Sequence, residues 1–289
     1  MKTKFLYIMM IALGTHSYSF YGQVLNLIKP IVKDDVTFEE KNGLVAVEAE
    51  YFNHQSDTAI RAWYITYKGQ SAKVGRDDDK KHLNNVSNNA YIEVLPDTRV
   101  THSDKLIHGE NFSNEPGKMA ILSYNIKFNN AGRYYVWVRA MSTGSEDNGL
   151  HVGIDGKWPE SGKRMQWCDG KGEWTWASKQ RTKKVHCGIP HAIYLDIEKA
   201  GVHMVQFSMR EDGFEFDKFI LTTDVNYVPV KKGPKSLLAQ GNLPKPFPEV
   251  DTPKTLKSYF SNISSLITAN YYIAAQDFPI ESTNFYKDG

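Results

Sequence analysis

Apolar positions recur with period two along most of the chain, the spacing of strands whose side chains alternate between two faces. In 44–52, Val45, Val47 and Ala49 share one face, and Glu48 and Glu50 share the other. Ile121 alternates with polar neighbours in 119–128, and in 134–140 Tyr134, Val136 and Val138 alternate with Tyr135, Trp137 and Arg139. The same spacing returns at Leu150, Val152 and Ile154, at Ile193, Leu195 and Ile197, and at Val205, Phe207 and Met209, and 214–221 closes the series. Turn-forming residues separate the runs: Asn129 and Asn130 before Gly132, Asp155-Gly156, and Lys199 to Gly201. Strand patterns without helical patterns between them predict an all-β jelly-roll β-sandwich. Two long insertions interrupt it, at about 67–118 and 157–190, and loops of that length in a compact domain usually carry function.

The ends read differently. Lys2 and Lys4 precede an apolar run, 5–13, and the small residues Ser17, Ser19 and Gly22. That order predicts a secretory signal peptide over 1–22. A membrane anchor, the other reading, needs about 20 apolar residues. The sandwich is expected over 40–224. Residues 225–254, rich in Pro, Lys and Gly, read as a linker. A short, partly helical extension follows over 255–289, as an appendage or the start of a further domain. No later segment is long and apolar enough to span a membrane. A secreted protein follows, at the cell surface, in the periplasm or outside the cell.

A formal net charge of +2 points to no nucleic-acid partner. The chemistry concentrates in the second insertion. It holds Trp158, Trp167, Trp174 and Trp176 together with Lys163, Arg164, Lys171, Lys179, Arg181, Lys183 and Lys184. Exposed aromatic rings stack on the apolar faces of sugars, and cations pair with sulfate or carboxylate groups. The alternative is that the tryptophans plug one end of the sandwich. Cys168 and Cys187 fall in the same stretch, and in an exported protein they are expected to form a disulfide rather than stay as thiols. Trp63 and Tyr64 are further sugar-binding candidates or core residues. Arg210, Glu211, Asp212 and Glu215 form a charged turn that could hydrogen-bond sugar hydroxyls or be an ordinary hairpin.

Glu48 and Glu50, two apart on a strand, would project from one face about 7 Å apart, and a neighbouring last strand would bring Asp217 close. Such oxygens suit a hard cation such as Ca²⁺. Paired acids of a glycoside hydrolase and a solvated strand face are the other readings. Nucleophile-elbow, P-loop and HExxH motifs are absent, and the histidines show no metal spacing.

The strings VAVEAEYF, GRYYVWVRA, GLHVGIDG and AGVHMVQFSMREDGFEFDKFIL resemble the galactose-binding-like jelly rolls of carbohydrate-binding module families 6 and 35. They are also similar to the C-terminal domain of family 115 glycoside hydrolases. WPESGKRMQWCDGKGEWTWASKQRT resembles modules in polysaccharide-degradation proteins of marine Bacteroidetes. The resemblance implies a structural Ca²⁺ on Glu48, Glu50 and Asp217, and a glycan held either in a cleft among the loops or on a sheet face. The function expected is non-catalytic binding of an extracellular polysaccharide. The basic residues, Arg164 and Arg181 among them, favour a sulfated or uronic-acid polymer, with an appended or partner glycoside hydrolase. Two alternatives stand beside it: a glycoside hydrolase or lyase using Glu211, Asp212 and Glu215, and a structural or adhesive surface protein.

Overall fold

The computed structural model describes residues 28–56 and 60–249. The expected signal peptide, the C-terminal extension and the last five residues of the expected linker lie outside the described residues. Sixteen strands are formed within them: β1 (Thr37–Glu39), β2 (Leu44–Glu48), β3 (His54–Gln55), β4 (Ala62–Tyr67), β5 (Ala90–Leu95), β6 (Ile121–Phe128), β7 (Gly132–Met141) and β8 (Gly149–Ile154), then β9 (Met165–Gln166), β10 (Thr175–Ala177), β11 (Lys179–Gln180), β12 (Ile189–Pro190), β13 (Tyr194–Ile197), β14 (Gly201–Met209), β15 (Glu215–Thr222) and β16 (Leu238–Gln240). They build two sheets, the sandwich that the alternation predicts.

The first sheet runs β12-β11-β9-β8-β14-β6-β1-β16, with β3 on β6, and the second runs β10-β7-β15-β5-β4, with β13 on β7 and β2 on β15. Long antiparallel ladders form their centres: β14 pairs β6 from Gly201 opposite Phe128 to Ser208 opposite Ile121, and β15 pairs both β7 and β2. One face of each sheet meets the other in a single core. Aromatic rings fill its middle edge to face, Phe207 at 5.0 Å from Phe216, Tyr124 at 4.9 Å from Phe219 and Trp63 at 6.0 Å from Phe216. Each such pair adds about 1 kcal/mol beyond the area it buries. No helix among the described residues is long and apolar enough to cross a membrane.

A register shift between Phe216 and Lys218 makes Asp217 an extra residue in β15. The bulge changes the parity of the strand. Phe216, Phe219 and Leu221 all reach the core, while Glu215 and Lys218 face away from it. On β5, Ile92 and Val94 are core residues and Glu93 lies on the outer face. That outer face is not open to water. The first insertion folds back over it, donating Ser87 N–H to Asp217 Oδ1 at 2.8 Å and setting His82 against Glu215 at 2.8 Å.

Three sequence readings change. β4 and β5 belong to the sandwich, although β5 falls inside the expected first insertion. All six residues of β5 are buried, so no alternation marks it. β2 ends at Glu48, and Ala49–Tyr51 is a 3₁₀ turn, so Glu50 leaves the strand face that Glu48 occupies. Residues 225–249, read as linker, are laid against the body: β16 pairs β1, and Phe247 is buried beside Tyr67 at 4.7 Å between ring centroids.

Candidate functional site

A cleft of about 680 Å³ opens among the loops where both insertions meet the end of β14. Its walls carry six basic or potentially basic side chains, His108, Arg164, Arg181, Lys183, His186 and Arg210. Arg181, Lys183 and His186 lie on the segment closed by the Cys168–Cys187 disulfide, which forms as expected with the Cα atoms 5.4 Å apart. His108 comes from the first insertion, where its ring stands edge-on to Phe112 at 5.2 Å.

Buried groups fix the floor. Arg210 pairs with Glu211 and holds its guanidinium 4.9 Å from the centre of the Phe112 ring. Its burial pushes the guanidinium pKa down. His151, fully buried on β8, donates from Nε2 to the Ser113 carbonyl at 3.1 Å and accepts the Arg164 backbone N–H at Nδ1 at 3.0 Å. Those two bonds specify the tautomer. Burial, helped by the charges of Arg210, Arg164 and Lys163, takes the His151 pKa down to about 3, so the ring is neutral at physiological pH. It thereby pins Arg164, whose φ is +58°, on the cleft wall.

The field in the cleft is positive. Burial first, then Arg181 and Arg210, lower the pKa of His186. Glu160 is the one carboxylate among the described lining residues, and it is bound to Lys163 and Arg164. Arg181 and Lys183 make no side-chain ion pair among the described residues. Groups of this kind bind sulfate or carboxylate through charge-assisted hydrogen bonds, with Arg suited to bidentate contact.

Arg164 and Arg181 are therefore brought together as the sequence reading places them, but the aromatic platform is not formed. Trp167 is 3% exposed and packs on Phe214 at 5.0 Å. Trp174, also buried, donates its indole N–H to the His82 carbonyl at 2.8 Å and lies against Tyr91. Trp158 is half-buried over Gly153 and Gly117; a Cβ on either glycine would stand 2.7 Å and 2.2 Å from its ring atoms. Trp176, half-buried, donates to the Lys231 carbonyl at 2.9 Å. Trp63 is a core residue, bonded to the Ala120 carbonyl at 2.6 Å, and Tyr64 is half-buried on β4. The tryptophans plug and brace the sandwich; the rings along the cleft are those of His108 and His186, with Phe112 buried at 8% exposure beneath them.

The charged turn before β15 is also interior. Asp212 is fully buried and accepts from Arg61 Nη2 at 2.9 Å and from Thr98 N and Oγ1, each at 2.8 Å. Glu211, 1% exposed, takes Arg210 and the Asn148 N–H at 3.0 Å. Neither is offered to a ligand. Sequence reasoning missed His108, Phe112 and His186 as cleft residues, because their proximity to Arg164 arises only from the folding of the insertions.

Glu48, Glu50 and Asp217 gather on the outer face of the second sheet. Glu48 Oε1 accepts from Lys218 Nζ at 2.7 Å and Ser87 Oγ at 3.0 Å, and Glu50 Oε1 accepts from Asn88 Nδ2 at 2.7 Å. Asp217 pairs with Arg139. Three carboxylates thus face two cations, Lys218 and Arg139. Burial, then the neighbouring Glu48, pushes Glu50 well up. Oε2 of Glu48 and Oε2 of Glu50 are buried with no hydrogen-bond partner. These two oxygens fit a hard cation, whereas both oxygens of Asp217 are engaged by Ser87 and Arg139.

The family model described as the glycosyl hydrolase family 115 C-terminal domain matches residues 37–236. Uncharacterized protein P23 of Formosa agariphila is 63% identical over 272 residues, 94% of this chain and 65% of that protein. The chain therefore spans less than two thirds of the length of that relative. Among solved structures, the Podospora anserina GH26-CBM35 beta-(1,4)-mannanase is similar over 65% of this chain and 29% of that one, at 10% identity and a TM-score of 0.34. A native family 35 carbohydrate binding module from Clostridium thermocellum is similar over 62% of this chain and 96% of that one, at 13% identity and a TM-score of 0.31. At those TM-scores the two likenesses carry no argument about ligand or activity.

Proposed function

The chain belongs to the family of glycosyl hydrolase family 115 C-terminal domains, and from that premise we propose that it is a secreted, non-catalytic module that binds an anionic polysaccharide in the arginine-lined cleft. The observation that carries the proposal is the composition of the cleft wall: Arg181 and Lys183, which make no side-chain ion pair among the described residues, stand beside Arg164 and Arg210, which Glu160 and Glu211 pair. Sulfate esters or uronic-acid carboxylates would pair with Arg181 and Lys183. The exposed ring of His108, backed by the buried Phe112, would meet the apolar side of a sugar ring.

The same composition disfavours hydrolysis at this place. Glycoside hydrolysis canonically uses two carboxyl groups across the scissile bond, and the described lining residues provide Glu160 alone. A hydrolase or lyase would then be an appended or partner protein, to which this module brings substrate. A structural Ca²⁺ belongs to the proposal as well, held by Glu48 and Glu50 through their unpartnered oxygens. It would supply positive charge to a buried acidic pair and tie the Ala49–Tyr51 turn to β2.

Affinity electrophoresis through gels containing sulfated, uronic-acid or neutral polysaccharides tests the reading. The expected result is retardation by a polyanion, without shortening of the polymer, and at least tenfold weaker retention of Arg181→Ala, the loss of one charge-assisted hydrogen bond of about 1.5–3 kcal/mol. Retention by neutral polymers only, or polymer cleavage by the wild type that Arg181→Ala leaves intact, would refute it.

A further inference from the structure

A second group of acids lies on the outer face of the second sheet, at the other end of the bulged stretch of β15 and apart from Glu48 and Glu50. Asp77 and Asp79 belong to the first insertion, and Glu93 is the outward residue of β5. One carboxylate oxygen from each of Asp77, Asp79 and Glu93 lies within 4.8 Å of the other two. Asp79 also belongs to an adjoining triad with His82 and Glu215, formed at the same spacing. Glu93 is 1% exposed, and the structure gives its Oε2 atom no hydrogen-bond partner. Oδ1 of Asp77 and Oδ1 of Asp79 are likewise buried and unpartnered.

Nearby cations leave this group undercompensated. Lys81 binds Asp77, and His82 Nδ1 is 2.8 Å from Glu215 Oε1 and 3.9 Å from Asp79. Four carboxylates, those of Asp77, Asp79, Glu93 and Glu215, share one lysine and one histidine. Gathering like charges away from water is costly unless a counter-charge enters.

The geometry points to a divalent-cation site formed by Asp77, Asp79 and Glu93. Three oxygens of separate carboxylates at this spacing suit Ca²⁺, which takes six to eight oxygens and completes its shell with water and carbonyls. The His82–Glu215 pair flanks the ion and orients the segment that carries Asp79. Bound there, the ion would clamp the first insertion onto β5. This site shares no residue with the Glu48–Glu50 pair or with the cleft, and it does not rest on the glycan reading.

Trp174 provides a local reporter, since its indole bonds the backbone carbonyl of His82. The test is Tb³⁺ titration of the EDTA-stripped full chain, reading luminescence sensitised by tryptophan, followed by displacement with CaCl₂ and by calorimetry with CaCl₂ alone. The expected result is saturable luminescence displaced by Ca²⁺. Measured in the Glu50→Gln background, so that the Glu48–Glu50 pair does not contribute, Glu93→Gln and Asp79→Asn should each weaken it at least tenfold. Circular dichroism identifies folded variants, and Asp77→Asn, at the rim, stands in for either of the others that fails to fold. Absence of Ca²⁺-displaceable luminescence in the wild type would overturn the inference. So would luminescence that the folded Glu93→Gln and Asp79→Asn variants retain in full in the Glu50→Gln background.

Discussion

Replacing Asp212 by Asn separates an acid that builds the fold from one that serves a ligand. The wild-type carboxylate is fully buried, takes three hydrogen bonds and faces Arg61, itself 3% exposed. Asn keeps the shape and one acceptor oxygen but removes the charge. The Arg61 guanidinium then loses the charge of Asp212 in a dry site. Breaking a buried pair from one side costs about 3–5 kcal/mol. In a domain of this size each kcal/mol moves the melting temperature by about 2–4 °C, so a fall of roughly 6–20 °C is expected. Urea denaturation followed by tryptophan fluorescence, with polysaccharide retention measured on the same sample below the transition, is the assay. The expected outcome is a large loss of stability with unchanged retention by the folded protein. A variant as stable as the wild type, or one that loses retention while still folded, would refute the structural role assigned to Asp212.

Trp167→Ala should cost about 3–5 kcal/mol, as for other large-to-small core changes, and leave the folded protein's retention intact; a thermal melt beside affinity electrophoresis checks both. Replacing Cys168 and Cys187 together by Ser opens a loop with a sequence separation of 19. Loop-closure entropy predicts a loss of about 3 kcal/mol, and weaker retention should accompany it because Arg181, Lys183 and His186 lie within that loop; both are read from urea curves and gels. Burial, then Asp212, Asp147 and Asp79, raises the Asp97 pKa to about 8. The folded state thus holds this proton more tightly than the unfolded chain, so its stabilising effect is full below about pH 4 and is lost as pH rises through about 8. Wild-type stability should fall by up to roughly 1 kcal/mol per pH unit in that window, and Asp97→Asn should flatten the fall in denaturation curves at pH 5, 6.5 and 8.

Strands with one face in the core and one partly polar were legible in the sequence. β7 shows this well, with Tyr134, Val136 and Val138 inside and Tyr135 and Trp137 half-buried on the other face. β5 was not legible, because an insertion covers its outer face and both faces are buried, which erases the period. The same cover explains why the bulge at Asp217 was invisible: a buried strand of mixed polar and apolar residues carries no parity to break. At the cleft, Arg164, Arg181 and Lys183, dense in one insertion of the sequence, line a common wall. The tryptophans between them were misleading, since an indole serves as well for wedging loops as for stacking on sugar, and only the packing of Trp167 on Phe214 decides. The acids were the hardest to read. Glu211 and Asp212 look solvent-bound in sequence, but their partners Asn148 and Arg61 lie 63 and 151 residues away.

The central claim is that the cleft recognises negative charge on a polysaccharide. Its most direct measurement is the affinity of the protein for a sulfated or uronic-acid polysaccharide as a function of NaCl, wild type against Arg181→Ala/Lys183→Ala. Exposed charges are screened over about 8 Å at physiological ionic strength. The account predicts that wild-type affinity falls steeply with salt, and that the double variant binds at least tenfold more weakly at low salt with a shallower dependence. Salt-independent binding, or a double variant indistinguishable from the wild type, would contradict it.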